Sequence, residues 1–234
     1  TSLSKNLKAL GGNYNRVSVI VGADNDVSTK LVGVLQPYLK YAFIGKALGL
    51  VSANPVQRNI GRVKSGKLSI TNAGLSNGAK MNTFSEVALE TLDELGYIFA
   101  WEHSQKAGYF FNDDHTCTPI EDDYAYIHRG RPADKVSRLI RKVYLEELLD
   151  DIEVDPESGK LPVSVTKSFQ ATLENTVNAQ MTSQGEISGI SVYLDPNQNV
   201  LSSDNLDVQA DIVPKGMART ITVKQSYKNP LLNN

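Results

Sequence analysis

The sequence predicts a mixed α/β protein of the α+β kind, with an α/β core region over residues 1–127 and a helix-helix-three-strand module over residues 128–234. Three observations predict it. A β-branched run, Arg16-Val-Ser-Val-Ile-Val-Gly22, stands near the start and is followed by helix-like and strand-like segments in turn. Two stripes at helical spacing then follow one another between residues 132 and 181, and after Gly185 the pattern changes to three stretches of strand composition.

Taken in order, the β-branched run reads as a buried strand ended by Gly22, with Ala23-Asp-Asn-Asp26 as a turn. Residues 38–53, rich in Leu, Ala, Gly and Ile, predict a buried helix stopped by Asn54-Pro55, on which Gly45 and Gly49 would let a neighbouring backbone come close. Residues 61–70 alternate around Ser65-Gly66 as a strand and turn would, and residues 72–82 form a Gly/Asn-rich loop. Thr83 and Glu86 make a weak capping box before a helix with Val87, Leu89, Leu92 and Leu95 on its apolar side, ended at Gly96. Strands are expected over residues 97–101 and 108–111, then a loop from Asp113 to Asp123 and an apolar segment, Tyr124-Ala-Tyr-Ile127.

Pro132 is placed to open the next helix. On a 3.6-residue wheel Val136, Leu139, Ile140, Val143, Tyr144 and Leu148 share one side, and Arg131, Lys135, Arg138 and Lys142 the other. Pro156 and Gly159 separate it from a second helix, with Val165, Phe169, Leu173, Val177 and Met181 four apart. Strands are then expected within residues 186–194, 206–213 and 218–227, with turns at Asp195-Pro-Asn and Pro214-Lys-Gly.

Composition narrows the function. Hydrophobic residues are 41% of the 234, enough for an ordinary core. With Lys+Arg 24 against Asp+Glu 26, the net charge of −2 argues against nucleic-acid binding by bulk phosphate neutralisation. The single Cys117 cannot close an intramolecular disulfide. No apolar run approaches the roughly 18–20 residues needed to cross a bilayer, so membrane insertion is not expected. The chain opens on Thr1 and not on Met, which predicts a missing N-terminal part.

Chemistry-bearing residues gather in one place: Asp113-Asp-His115-Thr-Cys117, Glu121-Asp-Asp123 and the nearby His103 and His128. These atom types suit a divalent metal, which makes a metal-dependent enzyme on the loop from Asp113 to Asp123 the alternative reading. Their spacing fits no zinc motif, and a wet loop collects Asp and His without one. Lys64-Ser-Gly-Lys67 lacks the glycine and hydroxyl of a phosphate loop, and Val21-Gly-Ala-Asp24 has one of the three glycines of a dinucleotide fingerprint. The sequence therefore predicts neither an enzyme nor a bound cofactor or metal.

Two features point to assembly. Arg129, Arg131, Lys135, Arg138, Arg141 and Lys142 precede Glu146, Glu147, Asp150, Asp151 and Glu153, an order that opposes the helix dipole and displays two poles for partners. Near the C-terminus Ile221, Val223, Gln225 and Tyr227 alternate with Thr220, Thr222 and Lys224, as in a strand that can complete its own sheet or a neighbour's.

The order of elements from Asp122 onward resembles the C-terminal half of contractile tail sheath proteins. It is carried by Asp123-Tyr-Ala-Tyr-Ile-His-Arg-Gly-Arg131, Asp134-Lys135, the stretch from Met181 to Ile190, Asp195-Pro-Asn-Gln-Asn199 and Ile212-Val-Pro-Lys-Gly216. Upstream, Phe43-Ile-Gly-Lys-Ala-Leu-Gly-Leu-Val-Ser-Ala53 looks like the sheath segment that opens the core domain. The resemblance covers about three quarters of the chain and is closest to the sheath-like proteins of prophages, which are related to the sheaths of injection and type VI secretion systems. It implies a homo-oligomer of stacked rings around an inner tail tube protein, assembled in the bacterial cytoplasm and placed in the virion tail. It also implies terminal arms that donate strands to neighbouring subunits, with residues 218–227 as the C-terminal arm. The basic helix face would then meet the tube or a neighbour.

Overall fold

The computed structural model describes residues 17–24, 41–75 and 79–227. Its elements run β1 (Val19–Ile20), β2 (Ala23–Asp24), β3 (Tyr41–Ala42), α1 (Phe43–Ala53), β4 (Ala73–Gly74), α2 (Glu86–Glu94), β5 (Tyr97–Ile98), β6 (Ala100–Glu102) and β7 (Tyr109–Phe111). Then come α3 (Ile127–Leu145), α4 (Val163–Val177), β8 (Gly189–Leu194), α5 (Val200–Ser203) and β9 (Val208–Val213). The protein is α+β, as expected.

The first half is built from fragments of sheet. β1 lies parallel to β5, β2 sits between β3 and β4 in an antiparallel trio, and β6 pairs with β7. Ala23 and Asp24, expected in a turn, are thus in a central strand. Gly22 makes this possible: its φ is +101°, and a Cβ there would come within 2.8 Å of the Phe43 ring. Phe43, Ile98, Phe99 and Phe111 fill the core beneath these strands.

Several sequence expectations change here. α1 starts at Phe43, with residues 38–40 outside the described residues, and it is not buried all round: Phe43 and Ala47 face the core while Ile44 and Leu48 are exposed. No neighbouring described atom lies within 4 Å of where a Cβ would sit on Gly45 or Gly49, so the expected close approach is not made among the described residues. The expected strand over residues 61–70 is irregular, with a 3-10 turn at Val63–Ser65. The cap of α2 is Ser85, whose Oγ accepts from the Ala88 N–H at 3.3 Å, while the Thr83 hydroxyl donates to the Lys80 carbonyl.

The second half has longer elements and an aliphatic core. Val136 and Leu139 of α3 pack with Leu173 and Val177 of α4, and with Met181, Ile187 and Val192. Met181 lies in a π turn, Asn178–Thr182, that extends α4. β8 and β9 pair antiparallel over six residues each, with Ile190, Val192, Leu194, Val208, Ala210 and Ile212 on the inner face. The expected third strand is not formed among the described residues: residues 218–227 pair with no described strand.

α3 begins at Ile127, so Pro132 is inside the helix and not at its first position. The reason lies upstream, at Asp114. Its carbonyl accepts from the Ile127 N–H at 2.8 Å, and its carboxylate accepts from the His128 N–H at 3.0 Å. A cap supplied from the preceding loop starts the helix five residues before the proline. α3 ends at Leu145, so Leu148 is exposed and the acidic run lies past the helix end. Lys142, in the last turn, is where the dipole favours a cation. The expected opposition to the dipole is therefore smaller than an unbroken helix would give.

Candidate assembly site

After β9 the chain continues as an irregular segment that crosses a cleft in the body over residues 215–220 and runs on to Tyr227. Every residue from 215 to 227 is exposed, and no backbone hydrogen bond ties residues 218–227 to another described residue. Ile221 is 80% exposed, Val223 79% and Tyr227 100%. In a strand, alternation would place these three and Gln225 on one side, with Thr220, Thr222, Lys224 and Ser226 on the other. An amphipathic strand without a sheet leaves its backbone groups unpaired and its apolar face wet.

The two-stranded sheet supplies what such a segment lacks. β8 and β9 each have one edge unpaired among the described residues. On β8 the Val192 N–H is already taken by Glu174 Oε1 at 2.8 Å, which leaves β9 with the more open edge.

The root of the segment is tied down through a buried polar cluster. Asn112 positions the loop after β7: its side chain accepts from the Phe99 N–H at 2.8 Å and donates to the Tyr97 carbonyl at 2.9 Å. Asp113 and Asp114 follow, both buried, Asp114 with no exposed surface at 0%. Arg219 Nε donates to Asp113 at 2.7 Å, and the Asn59 amide donates to Asp113 and, at 3.0 Å, to Asp114. His128 Nδ1 lies 2.7 Å from Asp114. The Arg219 guanidinium also stacks on the Tyr126 ring, 3.3 Å from its centroid.

Burial sets the charge states. It pushes the Asp114 carboxyl up to about 6, against the pull of His128 and with the push of the neighbouring Asp113 charge. At Asp113 burial acts upward too, but the Arg219 hydrogen bond and charge, the His115 charge and the Asn59 bond outweigh it and hold the carboxyl below its ordinary value.

The wet loop expected from Asp113 to Asp123 is therefore dry in its first part: Asp113, Asp114, His115, Thr116, Cys117 and Thr118 are all buried, while Glu121 and Asp123 are exposed. Asp113, Asp114 and His128 bring possible ligand atoms within 4.8 Å of one another. Arg219 already supplies a cation there, and each carboxylate has protein donors. His115 places its Nε2 3.0 Å from Asp93. No sequence signal joined Asn59, Asp113 and Arg219, which are 54 and 106 positions apart in their hydrogen-bonded pairs.

The basic face of α3 divides in two. Arg131 donates to the Asn54 and Pro55 carbonyls at 3.2 and 3.3 Å, and Lys135 pairs with Glu186. Arg138 and Lys142 point to solvent.

The chain matches the DUF2586 N-terminal domain over residues 3–115 and the DUF2586 C-terminal domain over residues 123–232. It belongs to the DUF2586 family. No curated protein matches the sequence. Among solved structures, the contracted helical sheath of the anti-feeding prophage is similar at a TM-score of 0.64 and 14% identity, over 94% of this chain and 58% of that one. A chain of the anti-feeding prophage baseplate is similar at 0.60 and 14%, over 97% of this chain and 65% of that one. This DUF2586 chain thus has the sheath fold and spans less than two thirds of the length of those neighbours. No helix among its described residues is long and apolar enough to cross a membrane.

Proposed function

We propose that this DUF2586 protein is a structural subunit of a contractile tail sheath and not an enzyme. It self-assembles into stacked rings around an inner tail tube protein and contracts to drive the tube through a target envelope. Its place is the tail of a phage-like particle put together in the bacterial cytoplasm. The observation that carries the reading is the segment over residues 218–227, which has strand alternation, no backbone hydrogen bond to another described residue, and exposed apolar side chains. Added to the β8 and β9 sheet of a neighbour, it would recover main-chain hydrogen bonds and bury Ile221, Val223 and Tyr227, worth roughly 1.5–3 kcal/mol for each fully covered side chain. The sheath fold over nearly the whole chain supports it. Arg138 and Lys142, the outward part of the basic face, are the residues we assign to contact with the tube or a neighbouring subunit.

The test is deletion of the full-length protein from Ala218 onward, imaged by electron microscopy beside the parent. Tubes are expected from the parent and dispersed subunits from the deletion. Ordered tubes from both would end the reading.

A further inference from the structure

Arg219 sits where the exposed segment leaves the body, and what surrounds it is unlike the rest of that segment. On its C-terminal side every residue to Tyr227 is exposed and without a backbone partner among the described residues. On its N-terminal side the described ties are few: the Ser188 hydroxyl donates to the Pro214 carbonyl at 3.1 Å, and residues 215–220 pass over an open cleft of about 830 Å³. The cleft is walled by Arg58, Asp93 and Trp101 on the body and by Met217 and Thr220 on the root itself. Among the described hydrogen bonds of residues 215–227, those of Arg219 reach a buried group: it bonds to Asp113 and stacks on Tyr126. Asp113 is fixed in turn by Asn59, and Asn59 by Asp114, which caps α3.

We propose that Asp113, Tyr126 and Arg219 form a clasp that aims the donated strand, with Arg219 as a positioning residue for assembly. The proposal rests on the strand-donation reading. Its physical basis is chain length. With Arg219 docked, Val223 hangs on four free residues; with it undocked, the nearest described tie is Pro214 and nine residues are free. The root-mean-square reach of such a tether grows from about 11 Å to about 16 Å, roughly 1.5-fold. The volume searched by the tip grows by about threefold, and its effective concentration at the acceptor edge falls by the same factor. The planar guanidinium suits the task because it pairs with a carboxylate and stacks on a ring at once.

The experiment uses the full chain with spin labels at Ser164→Cys on exposed α4 and at Val223→Cys; Cys117 is buried and should not take the label. Distances are measured by pulsed electron resonance in subunits kept below the assembly concentration. Arg219→Gln and Asp113→Asn should each widen the distribution about 1.5-fold, and the double variant no further. Without labels, each should slow tube formation about threefold while tubes of normal form still appear. Arg219 is partly exposed, so Arg219→Gln should keep the fold even where Asp113→Asn disturbs it. Unchanged widths in Arg219→Gln overturn the clasp, and so does a widened distribution with an unchanged assembly rate. Either result, beside a deletion from Ala218 that abolishes tubes, would leave strand donation standing and remove only the aiming role.

Discussion

At the root of the extended segment charge is buried, and along its length apolar side chains are exposed. Asp113 and Asp114 are inside, Ile221 and Val223 outside, and Arg219 joins the two regions. In a free-standing globule both would be costs, since buried carboxylates lose hydration and exposed Ile or Val orders water. The difference between them is whether the compensation lies inside the chain. For the carboxylates it does: Arg219, Asn59 and the His128 N–H are in place. For Ile221 and Val223 no described residue supplies it, and on the proposed function a second copy would.

The sharpest way to break the comparison is to remove an equal amount of apolar surface from the body and from the segment. Leu173 is fully buried between α4 and its neighbours, so Leu173→Ala should cost about 2–5 kcal/mol of subunit stability. Ile221→Ala should cost the isolated subunit less than about 0.5 kcal/mol. In assembly the order reverses: Ile221→Asp should prevent tubes while leaving the subunit's melting temperature unmoved. Urea unfolding of subunits and imaging of assemblies check both halves. A large loss of subunit stability on Ile221→Ala would mean that the segment packs on its own body.

The next largest effect tests the buried charge. The Asp114 carboxyl is raised from 3.8 to about 6 in the folded protein, so between those values the folded state binds the proton more tightly than the unfolded one. Its contribution is fully present below pH of about 4 and is lost as pH rises through about 6. On that shift the change is about 3 kcal/mol as an order of magnitude, at 1.36 kcal/mol per pH unit. Asp113, held low, acts in the other direction and in a lower window, its contribution being lost as pH falls below about 4. Asp114→Asn should remove the first slope and keep the second, measured by urea midpoints across pH 3 to 7. A parent curve flat between pH 4 and 6 would show that Asp114 stays charged when folded.

The same contrast explains what could be read from the sequence. Periodicity is a local signal, and it located α2, the strands around Tyr97 and Phe111, the two long helices and the β8 and β9 hairpin. It also marked residues 218–227 as strand-like, which is true of their pattern although no sheet among the described residues receives them. Partnership is not local. The cap of α3 comes from Asp114, thirteen residues before the helix, so Pro132 was a false start signal. The Asp and His of the 113–123 loop suggested wet surface because their partners, Asn59 and Arg219, are far away in sequence. Cys117, a residue type most often buried, was the one local hint that this loop is inside.

The smallest effect separates the two halves of the basic face of α3. Lys135 and Glu186 are partly shielded, at 27% and 13% side-chain exposure, and their pairing ties α3 to the turn before β8. Lys135→Ala should cost the subunit at most about 1 kcal/mol, the upper end for such a pair once solvent screening is counted. Arg138 and Lys142 meet no described partner, and replacing both with Glu should leave subunit stability within about 0.5 kcal/mol. If their role is to meet a tube or neighbouring subunit, that double change should instead weaken assembly, and most at low salt, where exposed charges act over the longest range. Assembly that is equally efficient at low and high salt in the double variant would remove the outward half of the face from the interface. The charge on α3 would then serve only to tie its own subunit together, as Arg131 and Lys135 already do.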